Sequence, residues 1–157
     1  MNAPTRWTPP PSALSANFGQ MLGDTARRHG IADLSAADLP QSLETSGLQV
    51  VLLVDDPERS AENWDMAVIF PQLLKALPEA AVPALLRPAE ARQVVPHYGV
   101  QRLPAVLFLR DGAYLGVIEG LRDWAGFVAE AGAILARAPG RAPSVGIAVT
   151  SASPTCH

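Results

Sequence analysis

The sequence predicts an α/β sandwich in which helices flank a mixed central sheet, and two observations lead to this prediction. Residues 49–54 (QVVLLV) and 105–109 (AVLFL) are continuous apolar runs, as is typical of strands covered on both faces. Because helical segments separate these two buried strands, we expect them to run parallel. Arg110-Asp111-Gly112 followed by AYLGVIE has the chemistry of a hairpin turn and a returning strand, which adds antiparallel pairing.

The first third of the chain is predicted to form two helices and an edge strand. Residues 1–12 hold four prolines and are predicted to be a flexible arm. Residues 15–29 have helical spacing, and Gly30 can end that helix. The inward face of this helix is predicted to carry Phe18, Met21, Leu22 and Thr25. Residues 30–34 are a predicted edge strand, and a second helix is predicted to begin at Ser35 with Asp38 as its capping partner, although Pro40 opposes it.

The next segments continue the alternation of helices and strands. A helix is predicted over residues 63–77, interrupted at Pro71. Residues 80–86 are a weaker strand in which Pro83 favours a sheet edge or a bulge. A short helix over residues 90–95 follows, closed by Pro96 and Gly99.

A final helix is predicted over residues 121–136. Its buried face is predicted to carry Trp124, Phe127, Val128, Ala131 and Leu135. The element order is therefore α-β-α-β-α-β-α-β-β-α, within one domain over residues 13–137. Residues 138–157 are rich in helix breakers and are predicted to be a disordered tail, in which the apolar run 145–149 (VGIAV) is able to dock.

Composition narrows the class of protein. A chain of 157 residues with 48% hydrophobic residues suits one domain with a sizeable core. A net charge of −3 argues against a nucleic-acid-binding surface, which would need a basic stripe. The sequence has no apolar run near the ~20 residues of a membrane span, and its first residues lack the apolar core of a secretory signal. We therefore expect a cytoplasmic protein without direct membrane insertion.

The thiols and imidazoles predict no metal and no cofactor. The single cysteine, Cys156, cannot form an internal disulfide, a redox CxxC pair or a multi-thiolate zinc site. His29, His97 and His157 share no metal-ligand spacing.

The segment 99–112 (GVQRLPAVLFLRDG) carries the most specific motif of the chain. Leu103-Pro104, the apolar run and the following turn resemble the thioredoxin segment that holds a cis-proline. Pro71 falls where the long helix of thioredoxin is kinked, and Gly120 begins the last connection as in that family. The resemblance covers about residues 30–136 and implies a thioredoxin-like three-layer sandwich. Without it, Pro104 would be an ordinary proline at the entry to a strand.

The redox motif of thioredoxin is absent from the matching position. There the chain reads Asn63-Trp64-Asp65-Met66. Thiol–disulfide exchange needs one thiolate to attack and a second thiol to resolve the mixed disulfide. The resemblance is therefore to the thioredoxin skeleton without its chemistry.

A narrower resemblance covers nearly the whole globular part. The helix containing Phe18, the segments VVLLVDDPERS (50–60) and GVIEGLRDW (116–124), and the Leu103-Pro104 motif resemble the HyaE/HoxO-type accessory proteins of nickel–iron hydrogenase assembly. This family has the thioredoxin-like fold without redox cysteines. It is associated with the hydrogenase small subunit, whose precursor carries a twin-arginine export signal.

An acidic segment, residues 55–65 (DDPERSAENWD), supplies the candidate binding residues. Its net charge is −4, while the rest of the chain is +1. The acids could be a solvated loop at a helix N-terminus, or a rim that faces the proline loop and attracts an arginine-containing peptide. Trp64 and Met66 could be core residues or peptide contacts. By resemblance, Arg102 and Leu103 would offer backbone groups to an extended peptide. The predicted partner-binding set is Asp55, Asp56, Glu58, Glu62, Trp64, Asp65, Met66, Arg102, Leu103 and Pro104.

These features predict a non-catalytic assembly chaperone. The expected partner is the precursor of the hydrogenase small subunit, with or without contact to its twin-arginine signal, and other maturation proteins beside it. No nucleophile constellation or phosphate loop accompanies the paired carboxylates, which argues against a carboxylate enzyme. The alternatives are a single-thiol redox protein that uses Cys156 and a thioredoxin-like scaffold of another complex.

Overall fold

A five-stranded mixed sheet forms the centre of the computed structural model, which describes residues 12–42, 44 and 46–143. In chain order the strands are β1 (Ala32–Leu34), β2 (Leu48–Leu53), β3 (Val82–Leu86), β4 (Ala105–Arg110) and β5 (Ala113–Glu119). The helices are α1 (Ala13–His29), α2 (Leu39–Ser42), α3 (Glu62–Ala76), α4 (Pro88–Val94) with a 3-10 turn at Val95–Tyr98, and α5 (Trp124–Leu135). Across the sheet the strands lie in the order β1-β3-β2-β4-β5. The predicted order of elements is confirmed.

Both ends of the sequence extend past the part that the structure describes. Residues 1–11 of the predicted arm and residues 144–157 of the predicted tail lie outside it, as do Cys156 and the run 145–149. Ser12 caps α1, since its hydroxyl oxygen accepts a hydrogen bond from the Ser15 N–H at 3.1 Å. Gly30 ends α1 as predicted, with a φ of 65° that a glycine adopts without strain.

One half of the sheet is parallel and contains β1, β3 and β2. The prediction that Pro83 marks a sheet edge or a bulge is wrong, because β3 lies between β1 and β2. The strand tolerates Pro83 because β1 is only three residues long and begins to pair at Ala84. Pro83 therefore has a neighbouring strand on the β2 side alone, where it lies opposite Val50.

The predicted parallel pairing of the two buried strands is also wrong, because β2 and β4 are antiparallel, with Leu53 opposite Ala105. The cause is the short connection between β3 and β4. Helix α4 has seven residues, about 10 Å, and strand β3 is about 17 Å long. The chain therefore stays at the edge where Leu86 ends β3, and β4 has to run back from that edge.

The closing hairpin forms as the turn residues predict. Asp111 and Gly112 both have positive φ, 51° and 80°, which is the backbone of a two-residue hairpin turn. β5 then pairs antiparallel with β4 and completes the mixed sheet.

Helices cover both faces of the sheet. Helices α1, α3 and α5 pack on one face, where Phe18, Phe70, Phe108 and Phe127 belong to one buried cluster. Helices α2 and α4 cover the other face through Leu39, Ala91 and Val94, and we call the buried residues on this side the second core. This arrangement confirms the predicted thioredoxin-like three-layer sandwich. No helix within the described part of the chain is long and apolar enough to cross a bilayer.

Three helices differ from their predictions in detail. α3 runs from Glu62 to Ala76, close to the predicted bounds, and continues through Pro71 without the predicted interruption. α2 begins at Leu39, four residues later than predicted, and Ser35 and Asp38 exchange their capping hydrogen bonds around a turn that precedes it.

α5 begins at Trp124, after the Asp123 cap. The predicted face of α5 is partly wrong. Trp124 is 47% exposed and Val128 is 38% exposed, while Phe127, Ala131 and Ile134 are buried.

Candidate partner-binding site

The acidic segment is anchored by Asn63, a residue to which the sequence assigned no role. Its side chain is fully buried. Its Oδ1 accepts a hydrogen bond from the Asp55 N–H at 2.7 Å, and its Nδ2 donates one to the Ser60 carbonyl at 3.0 Å. Asn63 therefore ties both ends of the loop that connects β2 to α3. The hydrophobic periodicity of the sequence could not identify Asn63, because its amide is buried by contacts with the backbone of a loop.

Two of the predicted acids are used to shape this loop. Asp56 accepts hydrogen bonds from the Ser15 hydroxyl at 2.9 Å and from the Glu58 N–H at 3.0 Å, which connects the loop to α1. Asp55 accepts a hydrogen bond from the Asp56 N–H at 2.8 Å and lies 3.6 Å from the Arg59 guanidinium. Both carboxylates are half-buried and act mainly within the protein.

The proline loop lies ahead of β4 and contains a cis peptide bond between Leu103 and Pro104. The resemblance to thioredoxin implied this geometry. Pro104 is buried, and its carbonyl accepts a hydrogen bond from the Gly120 N–H at 2.8 Å. Arg102 is exposed and Leu103 is half-buried against the second core.

Arg102 joins the proline loop to the acidic segment. Its guanidinium contacts both carboxylate oxygens of Glu62, at 2.9 and 2.8 Å. The same guanidinium lies over Gly120, where an added Cβ would come within 3.0 Å of its central carbon. Gly120 also has a φ of 73°, so two constraints favour glycine there. The structure thus brings the loop and the first turn of α3 together through Glu62, one of the five acids of the segment. That the acids form a binding rim stays a prediction.

The backbone of the proline loop has free hydrogen-bonding groups. Within the described residues, neither the N–H nor the C=O of Arg102 or of Leu103 has a hydrogen-bond partner. The preceding Gln101 N–H donates to the Glu119 carboxylate at 2.6 Å, and pairing of β4 with β5 starts only at Ala105. The chain bends at Arg102 and Leu103, and the backbone groups of these two residues are left open between the two contacts.

The other predicted contacts divide by exposure. Glu58 and Asp65 are exposed, and neither carboxylate forms an ion pair with the side chains that the structure describes. Trp64 is half-buried and packs on Phe18 with 5.6 Å between ring centroids. Met66 is fully buried in the core, so its packing alternative holds and its prediction as a partner contact is wrong.

Comparison with known proteins places the chain among hydrogenase accessory proteins. The family model described as hydrogenase-1 expression protein HyaE matches residues 22–127. The hydrogenase expression/formation protein HoxO of Cupriavidus necator is 36% identical over 134 residues, which is 83% of both chains.

More distant relatives give the same family. HoxO of Azotobacter vinelandii is 33% identical over 78% of this chain and 83% of its own. HupG of Bradyrhizobium diazoefficiens, also a hydrogenase expression/formation protein, is 27% identical over 78% of this chain and 85% of its own. With its fold, its proline loop and these relatives taken together, the chain belongs to the HyaE family of hydrogenase expression proteins.

Proposed function

We propose that this protein is a non-catalytic assembly chaperone that binds the precursor of the small subunit of a nickel–iron hydrogenase. The contact is made with the twin-arginine signal of the precursor, and occupancy holds the unfinished subunit until its cofactors are inserted. The observation that carries this proposal is the contact of the open proline loop, through Arg102, with Glu62 of the acidic segment.

The open backbone of Arg102 and Leu103 supports binding of an extended peptide. A peptide strand laid beside these residues would satisfy their N–H and C=O groups by strand addition, a common mode of peptide recognition. The backbone hydrogen bonds would give affinity without reading sequence, so selectivity has to come from side chains nearby.

The neighbouring acids support selectivity for arginine. In the Arg102–Glu62 pair one guanidinium nitrogen, Nη2, lies within hydrogen-bond distance of both Glu62 carboxylate oxygens, which supports guanidinium binding at this surface. Glu58 and Asp65 are exposed in the same segment and are the carboxylates available to a second molecule. A guanidinium presents two nitrogens in one plane to a carboxylate and a lysine ammonium does not, so we expect paired arginines to bind more tightly than paired lysines.

The residues at the position of the redox motif support a role without catalysis. Asn63 and Met66 are buried there as packing and hydrogen-bonding residues, and none of Asn63-Trp64-Asp65-Met66 carries a thiol. Without two thiols the thiol–disulfide exchange of thioredoxins has no route at this position.

The test is capture of the small-subunit precursor by the purified full chain, with and without the signal segment. We expect enrichment of the form that carries the signal. No enrichment of either form would overturn the proposal, and equal enrichment of both would overturn the assignment to the signal alone.

Charge variants sharpen this test. Glu58→Gln and Asp65→Asn each remove one exposed carboxylate, and Glu44→Gln removes the same charge near the opposite end of β2. An exposed ion pair contributes about 0.2–1 kcal/mol, so we expect each of the first two to weaken binding roughly 1.4- to fivefold at low salt. Equal affinity of Glu58→Gln and Asp65→Asn with the unchanged protein would refute the acidic rim.

A further inference from the structure

An apolar groove lies on the face of the sheet that α2 and α4 cover. Its volume is about 510 Å³, within the range of roughly 300–1,000 Å³ that is typical of binding pockets. The apolar part of its lining comes from Ala36, Ala37, Leu39, Pro40, Val94 and Tyr98.

The groove exists because α2 is a single turn. Four residues, Leu39–Ser42, make up the helix that precedes β2, while the opposite face is covered by helices of 17, 15 and 12 residues. Among the α2 side chains that the structure describes, Leu39 is buried in the second core, whereas Ser42 is half-buried and Pro40 is exposed. The layer beside α4 is therefore incomplete, and apolar side chains remain accessible there.

The chain that follows α5 leads to this groove. Beyond α5 the Gly140 N–H donates to the Tyr114 carbonyl at 2.9 Å, so the chain passes along the outer edge of β5. Tyr114 packs against the second core, which places this edge on the side of the groove.

Pro143 then lies against Gly99. An added Cβ on Gly99 would be 2.5 Å from the Pro143 carbonyl oxygen. Gly99 directly follows Tyr98, a lining residue of the groove. The last residue that the structure describes therefore lies against the neighbour in sequence of a groove-lining residue.

The sequence beyond Pro143 contains a short apolar run of the kind that would cover the apolar lining of the groove. Residues 145–149 read VGIAV and carry no charge, whereas residues 150–157 (TSASPTCH) are mostly small or polar. Five extended residues reach about 16 Å, which is enough to pass from Pro143 beyond Gly99 to the lining of the groove at Tyr98. We propose that residues 145–149 of the same chain pack into this groove, with Ile147 as the central side chain, and complete the layer beside α4. This inference does not depend on the proposed function.

Hydrogen exchange of the full-length chain tests the proposal. Ile147→Asp places a charge in the apolar run, and Ser151→Asp places the same charge just beyond it. We expect Ile147→Asp to accelerate exchange of the Val95, His97 and Tyr98 amides about tenfold, which is the effect of losing part of the burial of an isoleucine. Ser151→Asp should leave this exchange unchanged. Unchanged exchange in Ile147→Asp, or equal acceleration in both variants, would overturn the proposal.

A label on the natural cysteine gives an independent measurement. Cys156 is the single cysteine of the chain and lies seven residues after the run, so a spin label attached there reports where the run is held. We expect broadening of the amide signals of Gln93 and His97, which line the groove, and none at Leu73 and Val128 on the other face. Broadening at Leu73 and Val128 would contradict the proposal. Broadening that grows with protein concentration would assign the groove to a second copy and would also overturn it.

Discussion

Replacing Asn63 with alanine should destabilise the protein strongly, although the residue lies beside the surface at which binding is proposed. The side chain has no solvent exposure and makes two hydrogen bonds, one to each end of the acidic loop. Alanine leaves the Asp55 N–H without its partner, and an orphaned buried group costs about 1–3 kcal/mol. The Ser60 carbonyl keeps the hydrogen bond from the backbone N–H of residue 63, at 3.2 Å, and loses only the one from the side chain, which contributes about 0.5–1.5 kcal/mol. We expect the free energy of unfolding to fall by roughly 2–4 kcal/mol. For a chain of this length that corresponds to a Tm lower by about 6–12 °C.

Urea unfolding of the variant and of a matched control measures this effect. Asn17→Ala is the control, because Asn17 is exposed on α1 and its replacement should change stability by less than about 0.5 kcal/mol. Asn63→Asp keeps an acceptor for the Asp55 N–H but loses the donor to Ser60 and buries a carboxylate, so it should be no more stable than Asn63→Ala. A change below about 0.5 kcal/mol in Asn63→Ala would refute the anchoring role.

Two further predictions concern packing and pH. Gly116→Ala should destabilise the protein by about 1–3 kcal/mol, because the new Cβ would lie 2.9 Å from an Ile134 side-chain carbon. Gly132→Ala should stabilise it by about 0.5–1 kcal/mol, because there is open space around this helical glycine. Equal urea midpoints for the two variants would contradict this. Burial raises the pKa of Tyr98 and of Tyr114 above the usual value near 10. Because the folded pKa is the higher one, the stabilisation is complete below pH ~10 and is lost as pH rises through the folded pKa. Tyr98→Phe should lessen this alkaline loss, as followed by urea midpoints and tyrosinate absorbance; a tyrosinate titration centred at or below pH 10 would show the reasoning to be wrong.

Local patterns in the sequence predict the elements well. Gly30 and the Asp111-Gly112 turn have the backbone angles that their residue types favour, and both lie where the sequence predicts them. The run at residues 49–54 becomes a strand buried at every position. Each of these predictions depends on residues close together in the chain.

The failures involve relations between distant segments. The antiparallel pairing of β2 with β4 follows from the shortness of α4, which no local pattern of either strand reports. The buried face of α5 is set by Gly116 on β5, because the missing side chain makes room for Ile134. The prediction that Trp124 faces inward did not take Gly116 into account. Trp124 lies at the start of the helix, where it is exposed.

The proximity of the acidic segment to the proline loop was easier to predict than its contacts. One acidic residue, Glu62, meets the proline loop at Arg102. Which acids are used internally depends on contacts such as that of Ser15 with Asp56, which are 41 residues apart in sequence. Burial of Met66 likewise depends on how α3 rotates against the sheet.

The position of β2 in the sheet has a consequence for how the chain folds. β2 is the only strand that joins the parallel half of the described sheet to the antiparallel hairpin, and Gln49 pairs with Leu109, sixty residues later. The hairpin of β4 and β5 closes a very short loop, whereas its attachment to β2 has to close a long one, which is slower. During synthesis, β2 therefore has an open edge lined by apolar residues until residues 105–110 have left the ribosome. We expect the late docking of the hairpin to be the step that protects the nascent chain from aggregation.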